Sequence, residues 1–264
     1  MLTKILYFLI IMIIISLFLR TKKTLNNPYL YKDGVVVIKN ILNINDINFL
    51  LNNNDLKNNH NYIISNKNII DKIQNNLNKQ YKFHDYLFYI KKSKLHTCHR
   101  DGNSKYYHKK IKHPSYTIIF YLSNMNKCLD VLLGTHNNNY KNIINLTDNT
   151  TSILCNKGDA ILFDANLIHS GTFNKYDYYP RIQMKLSHID DFKIINFYND
   201  YYKILDKENN INNNVKKIQK HISCQFPFLS DLFYCEINNN VKKKNKSFIE
   251  KIYWKLFYGD ENII

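Results

Sequence analysis

The feature that most constrains the fold is a series of short apolar segments spread through the middle of the chain. These segments are rich in Val, Ile, Leu, Tyr and Phe, and Gly, Asn and Asp residues separate them. Short strands punctuated by turn residues, without regular alternation with helices, are typical of a β-sandwich or a β-barrel. The predicted strands span residues 33–39, 86–90, 115–123, 129–134, 152–155, 160–163 and 182–186.

Helical patterns flank this β-rich region. Asn43 or Asn45 can cap a short helix, and apolar residues recur at helical spacing over 68–78, whereas 52–61 is predicted to be polar loop. Further helices are predicted over 199–205, 215–222 and 247–257, the last starting with a capping-box pattern. The apolar face of this last helix fits either the domain's own core or a membrane surface. The fold class is therefore mainly β with flanking helices.

The N-terminus carries an apolar run from Ile5 to Leu19 that is interrupted only by Ser16. Basic residues follow it directly, and no small-residue cleavage site is present, which favours an uncleaved transmembrane anchor over a signal peptide. The basic flank places the rest of the chain in the cytosol. The predicted organisation is an anchor at 1–23, a tether at 24–32, a main domain at 33–190 and a helical C-terminal extension at 191–264.

The chain has 264 residues and a formal net charge of +16. Its excess of Lys is spread along the sequence, whereas a phosphate-binding face concentrates its charge. We therefore attribute the charge to compositional bias and do not favour nucleic acid as a partner. Arg occurs only at Arg20, Arg100 and Arg181.

The five cysteines stand at irregular spacings without a Cys-x-x-Cys motif, which argues against a zinc knuckle or a disulfide framework. Reduced, mostly buried thiols are expected. A pairing of Cys224 with Cys235 stays open at this point.

Chemistry is concentrated in His99, Asp101, His169 and Arg181. Residues i and i+2 of a strand project to the same side, so His99 and Asp101 can converge on one ion while Arg100 and Cys98 face away. His169 follows a turn and a predicted buried strand, and Arg181 comes twelve residues later, an interval that one hairpin can span. Two imidazoles and one carboxylate form the facial triad typical of non-haem Fe(II) oxygenases.

This combination resembles the Fe(II)/2-oxoglutarate-dependent dioxygenases, and within them the phytanoyl-CoA dioxygenase-like branch. The segments 33–42, 133–136 and 158–171 are similar to that branch's opening strand, its Gly-Ser-His segment and its distal-histidine strand. The resemblance covers 33–188 and implies a double-stranded β-helix, or jelly-roll, core. It also implies Fe(II) held by His99, Asp101 and His169, with 2-oxoglutarate and O2 as cosubstrates. Arg181 would bind the far carboxylate of 2-oxoglutarate, but Gln183 departs from the Arg-x-Ser pattern of some branches.

The resemblance implies a membrane-tethered dioxygenase that couples hydroxylation of a substrate to the decarboxylation of 2-oxoglutarate to succinate. A small molecule, a lipid and a protein side chain all remain open as the substrate. The alternative is a catalytically inactive jelly-roll that binds a ligand or partner at a membrane. Around the site, Tyr121 and Thr172 are candidates for lining the cosubstrate pocket and the segment with Tyr106 and Tyr107 for a lid. Surface or supporting roles are expected for His96, His108, His113 and His136.

Overall fold

The computed structural model describes residues 7, 11, 23–25, 27–92, 96–125, 127–137, 150–172, 179–195, 198–206, 211–228, 248 and 251–252. Most of the regular structure there is β, as expected, in a four-stranded and a seven-stranded sheet. The strands are β1 (Lys23–Leu25), β2 (Val35–Ile38), β3 (Tyr81–Phe83), β4 (Tyr86–Lys92), β5 (Tyr116–Tyr121), β6 (Leu129–Val131), β7 (Thr151–Ile153), β8 (Ala160–Asp164), β9 (His169–Gly171), β10 (Arg181–His188) and β11 (Tyr201–Asp206). The helices are α1 (Leu30–Asp33), α2 (Ile44–Asn52), α3 (Leu56–Ser65), α4 (Lys67–Gln74) and α5 (Asn213–Gln225), with a 3-10 turn at Thr135–Asn137.

The large sheet has the order β11-β4-β10-β5-β8-β2, and β3 pairs with the C-terminal end of β10 over Leu186 to His188. Its central strands are antiparallel, so paired residues project to the same face. One face carries Ile118, Phe120, Ile182 and Met184 and forms the main core with α2, α3 and α4. The opposite face, which we call the inner face, looks toward the small sheet. This arrangement is consistent with the predicted jelly-roll core.

The small sheet has the order β1-β7-β6-β9 and packs its apolar residues against the inner face. Val131 and Ile153 from the small sheet join Ile161 and Phe163 of β8 in one buried cluster. The site lies at the end of this sandwich where β9 begins, because His169 is the first residue of that strand.

The helices on the outer face start largely as capping chemistry dictates. Asn43 caps α2 and forms a reciprocal capping box with Asp46, which confirms the predicted cap. The predicted helix over 68–78 is present as α4. The expectation of polar loop over 52–61 is wrong, because α3 starts there. Asp55 caps α3, and burial of Ile63 outweighs the low helix propensity of its Asn residues.

The C-terminal segment is only partly helical. The helix predicted over 215–222 is present within α5, but the helix predicted over 199–205 is wrong. That stretch is β11, which pairs in parallel with β4 over Tyr201–Leu205 and completes the large sheet. Pairing with a distant strand decides its structure, since its aromatic and β-branched residues suit a sheet edge. Of the helix predicted over 247–257, only residues 248 and 251–252 are described, and they are helical.

No helix within the described ranges is both long and apolar enough to cross a membrane. The predicted anchor at 5–19 lies outside the described residues apart from Tyr7 and Ile11, and membrane tethering and orientation stay predictions.

The expectation of reduced thiols is wrong for two cysteines. Cys98 forms a disulfide with Cys224, which lies 126 residues away on α5, and so Cys224 does not pair with Cys235. Cys128 and Cys155 are free and buried, with their sulfur atoms 2.9 Å apart. Sequence spacing could not reveal the bridge, because only the tertiary fold brings α5 beside Cys98.

Candidate metal centre

His99 and Asp101 lie on an extended segment that is held against the loop leading into β9. The backbones of His99 and His169 exchange two hydrogen bonds, of 2.9 and 3.0 Å, and Asp101 donates its N–H to Ala165 O at 2.9 Å. Within the described residues 96–101, His99 forms only this isolated bridge and no regular strand is present, although the i, i+2 projection remains. The backbone pairing therefore fixes all three predicted ligands relative to one another.

The donor atoms of His99, Asp101 and His169 form a compact group within 4.8 Å of one another. Oδ1 of Asp101 lies 3.5 Å from Nε2 of His169 and 4.0 Å from Nε2 of His99. Two ligands held about 2.1 Å from one ion at right angles stand roughly 3 Å apart. Small side-chain movements would therefore allow all three donors to reach a single ion.

Both imidazoles present the nitrogen that a metal needs. Nδ1 of His99 lies 2.9 Å from Thr97 O, and Nδ1 of His169 lies 2.9 Å from Leu167 O. A carbonyl oxygen only accepts, so each Nδ1 carries the proton and each Nε2 keeps its lone pair. The two histidines use the same device, a hydrogen bond to the carbonyl two residues earlier. Such supporting bonds fix both the tautomer and the ring orientation of a metal ligand.

The charge state of the group also suits a cation. Burial lowers the pKa of His99 to about 3, and burial likewise lowers the pKa of His169, so both rings are neutral at physiological pH. Burial alone would raise the pKa of Asp101, but the charge of the Lys185 ammonium brings it well below its usual value. The group therefore holds two neutral donors and one carboxylate, all shielded from bulk water.

Two residues outside the His-x-Asp motif bind Asp101, and the motif gave no indication of either. Lys185 lies 2.7 Å from Oδ2 of Asp101, and Thr117 donates its hydroxyl to the same oxygen. Lys185 also donates to the Thr117 hydroxyl at 3.1 Å, and it is completely buried. The sequence offered one indication of the Lys185 contact. Lys185 stands four residues after Arg181 on a predicted strand, and residues at this spacing project to the same face of a sheet.

Arg181 begins β10 and pairs with Tyr121 of β5, which places both on the inner face with Gln183 and Lys185. About 13 Å of strand separates Arg181 from Lys185. In the described part of the chain, the Arg181 guanidinium makes a hydrogen bond to Tyr179 O at 3.1 Å. Burial lowers its pKa, against the effect of Tyr121 and Cys128 nearby. The expected hairpin from His169 to Arg181 within one sheet is wrong, because β9 lies in the small sheet and β10 in the large one.

The side chains predicted to line a pocket or form a lid make hydrogen bonds and ring contacts within the fold. Tyr121 donates its hydroxyl to Cys128 O, and Thr172 donates to Lys127 O. Nε2 of His108 bonds to Gly102 O, and the rings of Tyr106 and Tyr107 meet edge to face. Pocket and lid roles for these residues stay predictions.

Helix α5 packs against the extended segment that carries His99 and Asp101, which we call the ligand segment. The disulfide joins it to Cys98, next to His99, and Ser223 accepts the Cys98 N–H at 2.8 Å. Lys220 pairs with buried Asp130 and donates to Gly171 O at 2.7 Å, at the end of β9. The side of the ligand segment away from the metal donors is thereby fixed, which confirms that Cys98 does not face them.

No family model and no curated protein matches the sequence. Similar solved structures include the non-haem α-ketoglutarate-dependent epimerase SnoN of nogalamycin biosynthesis, at 11% identity and TM-score 0.46, covering 60% of this chain and 79% of that one. They also include AviO1 of Streptomyces viridochromogenes Tue57, at 12% and 0.47, covering 61% and 91%. HygX of Streptomyces hygroscopicus, solved with nickel, 2-oxoglutarate and hygromycin B bound, matches at 11% and 0.42, covering 60% and 84%.

Proposed function

We propose that this chain is an Fe(II)- and 2-oxoglutarate-dependent dioxygenase, with His99, Asp101 and His169 as its iron ligands. One observation carries the proposal: the unprotonated Nε2 atoms of two buried histidines face the same oxygen of one buried aspartate. Two imidazoles and one carboxylate are the ligand set of non-haem Fe(II) oxygenases, and they leave three coordination positions open.

The residues present fit such an ion. Each histidine is neutral and carries its proton on Nδ1, so an ion can bind Nε2 without deprotonation of the ring. Lys185 and Thr117 occupy Oδ2 of Asp101, which leaves Oδ1 directed at the two imidazoles. Asp101 would therefore act as a monodentate ligand, with its second oxygen held by the protein.

Arg181 is the candidate partner for the far carboxylate of 2-oxoglutarate. Lys185, the other cation of β10 on the inner face, already pairs with Asp101. The guanidinium of Arg181 offers five donors in a planar fork, which matches a carboxylate in two parallel hydrogen bonds. Partial burial strengthens such a pair, because water competes less for either charge.

Bound iron would supply the activation of O2 and the oxidative decarboxylation of 2-oxoglutarate to succinate and CO2. The chain's own contribution is to position the donors, to hold Asp101 ionised through Lys185, and to exclude water from the ligand group. Burial of His99, Asp101 and His169 serves the last purpose. Hydroxylation is the proposed fate of the substrate, whose class stays open between a small molecule, a lipid and a protein side chain.

The test is iron-dependent formation of succinate by purified full-length protein, with candidate substrates present. We expect turnover that needs Fe(II), 2-oxoglutarate and O2 and that is lost in His99→Ala and His169→Ala. His108→Ala is the matched control, since His108 lies near the site in sequence but outside the ligand group. Folded, iron-loaded wild type that yields no succinate with or without substrates would contradict the proposal.

One observation favours a second candidate, a binding protein without turnover. Lys185 neutralises Asp101 without any metal, so the group is electrostatically satisfied as it stands. In that case Fe(II) would bind weakly and the variants above would leave iron content unchanged. Anaerobic iron titration therefore separates the two functions before any substrate is known.

A further inference from the structure

A second cluster of metal-binding side chains lies at the far end of β10. His188 is the last residue of that strand, Asp190 follows in the turn, and His113 approaches from the segment before β5. One donor atom from each lies within 4.8 Å of the other two. Oδ2 of Asp190 is 3.3 Å from Nε2 of His113 and 3.5 Å from Nδ1 of His188.

The buried histidine turns its unprotonated nitrogen toward this cluster, and a backbone N–H occupies the lone pair of that nitrogen. Nδ1 of His188 accepts the Asp190 N–H at 3.3 Å, so it carries no proton. Nε2 of the same ring therefore carries the proton, and it donates to Oε1 of Gln80 at 2.8 Å. An amide oxygen behind the ring is the kind of support that fixes a ligating histidine in a metal site.

The other two ligands come from backbone that is already tied together. Asp191, the neighbour of Asp190, accepts the N–H groups of Lys112 and His113 at 3.0 and 2.8 Å. These bonds hold the His113 segment against the turn after β10. These two hydrogen bonds fix the backbone of the ligand positions, while the side chains of His113 and Asp190 are 39% and 54% exposed and open to an ion from solution.

Two adjustments are needed. An ion at Nδ1 of His188 would displace the Asp190 N–H that this nitrogen accepts at 3.3 Å. The second adjustment concerns the His113 ring. The rings of His113 and His188 stack with centroids 3.7 Å apart and planes 27° from parallel. Lone pairs of nearly parallel rings do not converge, so an ion would turn the half-exposed His113 ring out of the stack. His188 is buried and would keep its orientation, with Tyr81 against its ring.

We propose that His113, His188 and Asp190 form a second, surface metal site for a divalent ion from the zinc–copper end of the first transition series. Two imidazoles and one carboxylate suit such ions, and solvent completes the coordination. The ion would join the segment 102–113, which follows Asp101, to the end of β10. The proposal does not depend on iron binding by His99, Asp101 and His169.

The test is zinc stoichiometry of full-length, chelator-treated protein, measured by equilibrium dialysis and elemental analysis. Because the first group also binds Zn²⁺ if it is a metal site, we expect two ions per wild-type chain. His113→Asn and Asp190→Asn should each retain one ion and lose the other. Asp206→Asn, an exposed carboxylate at the end of β11, is the matched control and should retain two.

Thermal unfolding gives a second readout. Zinc raises the midpoint of any chain that binds it only when folded, and part of this rise should disappear in His113→Asn. A wild type that binds one ion, lost in His113→Asn, would support the second site while contradicting the first. The second site is overturned if His113→Asn and Asp190→Asn bind as much zinc as wild type while remaining folded by circular dichroism.

Discussion

The ammonium nitrogen of Lys185 lies 2.7 Å from Oδ2 of Asp101, and both side chains are almost completely shielded from solvent. This ion pair joins the centre of the large sheet to the ligand segment. It keeps Asp101 ionised in a buried place where burial alone would favour the protonated form.

Lys185→Met should therefore destabilise the metal-free protein strongly. Removing one partner of a buried ion pair leaves an uncompensated charge, at a typical cost of about 3–5 kcal/mol. Urea unfolding in the presence of chelator measures this cost. Lys193→Met, at an exposed lysine, should change the free energy of unfolding by less than about 0.5 kcal/mol. Equal effects of the two substitutions would contradict a stabilising role for the Lys185–Asp101 pair.

Arg181→Met should raise the KM for 2-oxoglutarate while leaving iron binding unchanged. Hydrogen bonds to a charged group contribute about 1.5–3 kcal/mol, which corresponds to a rise of roughly 10- to 150-fold. Arg181→Lys should fall between wild type and Arg181→Met, because an ammonium keeps the charge but loses the bidentate geometry. Succinate formation over a range of 2-oxoglutarate concentrations measures the KM, with Lys193→Met, at an exposed lysine outside the site, as the control. A KM unchanged in Arg181→Met would remove Arg181 from the cosubstrate site.

Acid should destabilise the metal-free protein between pH 6.5 and 4. Burial lowers the pKa of His84 to about 4 and that of His99 to about 3. Unfolding restores values near 6.5, so below this pH the unfolded chain binds more protons and stability falls. Asp164 acts in the opposite direction, because burial raises its pKa to about 7 and the folded state then holds the extra proton.

Asp164→Asn tests whether Asp164 opposes the histidines in the pH dependence of stability. Asparagine can still accept the Asn166 N–H that Asp164 accepts at 2.7 Å, but it cannot titrate. The loss of stability from pH 6.5 to 4 should become steeper by up to about 1.4 kcal/mol per pH unit. Urea midpoints at several pH values, with chelator present, measure the slope. A slope shallower than that of wild type would contradict the assignment.

Reduction of the Cys98–Cys224 disulfide should lower thermal stability, because the bridge joins residues 126 apart and ties α5 to the ligand segment. Loss of a native disulfide typically costs about 2–5 kcal/mol. Cys98→Ser and Cys224→Ser should each abolish the effect of reductant on the melting temperature. Cys128→Ser, at a buried free thiol, should leave that effect intact. A reductant effect that survives in Cys98→Ser would show that another bridge is responsible.

The convergence of His99, Asp101 and His169 could be predicted because it depends on local rules. Three features can be recognised without knowledge of the whole fold. They are the i, i+2 spacing of His99 and Asp101 in extended chain, the position of His169 after a buried strand, and the Asn43 helix cap. Seven of the eleven described strands, β2, β4 to β8 and β10, were likewise visible as apolar segments, whereas the three-residue strands β1, β3 and β9 were not. What failed was non-local: β11 pairs with β4 across more than a hundred residues, Cys98 meets Cys224, and Lys185 meets Asp101 only after both sheets have formed.

The most direct measurement is an anaerobic titration of Fe(II) into full-length protein with 2-oxoglutarate present, followed by the visible absorption of the Fe(II)–2-oxoglutarate chelate. That absorption requires one ion held by the protein with two adjacent positions open to the cosubstrate. We expect it to saturate at one Fe(II) per chain, to vanish in His99→Ala and His169→Ala, and to persist in His108→Ala and His113→Asn. Folded wild-type protein that develops no such absorption, or His99→Ala and His169→Ala variants that develop it fully, would contradict His99, Asp101 and His169 as an iron centre.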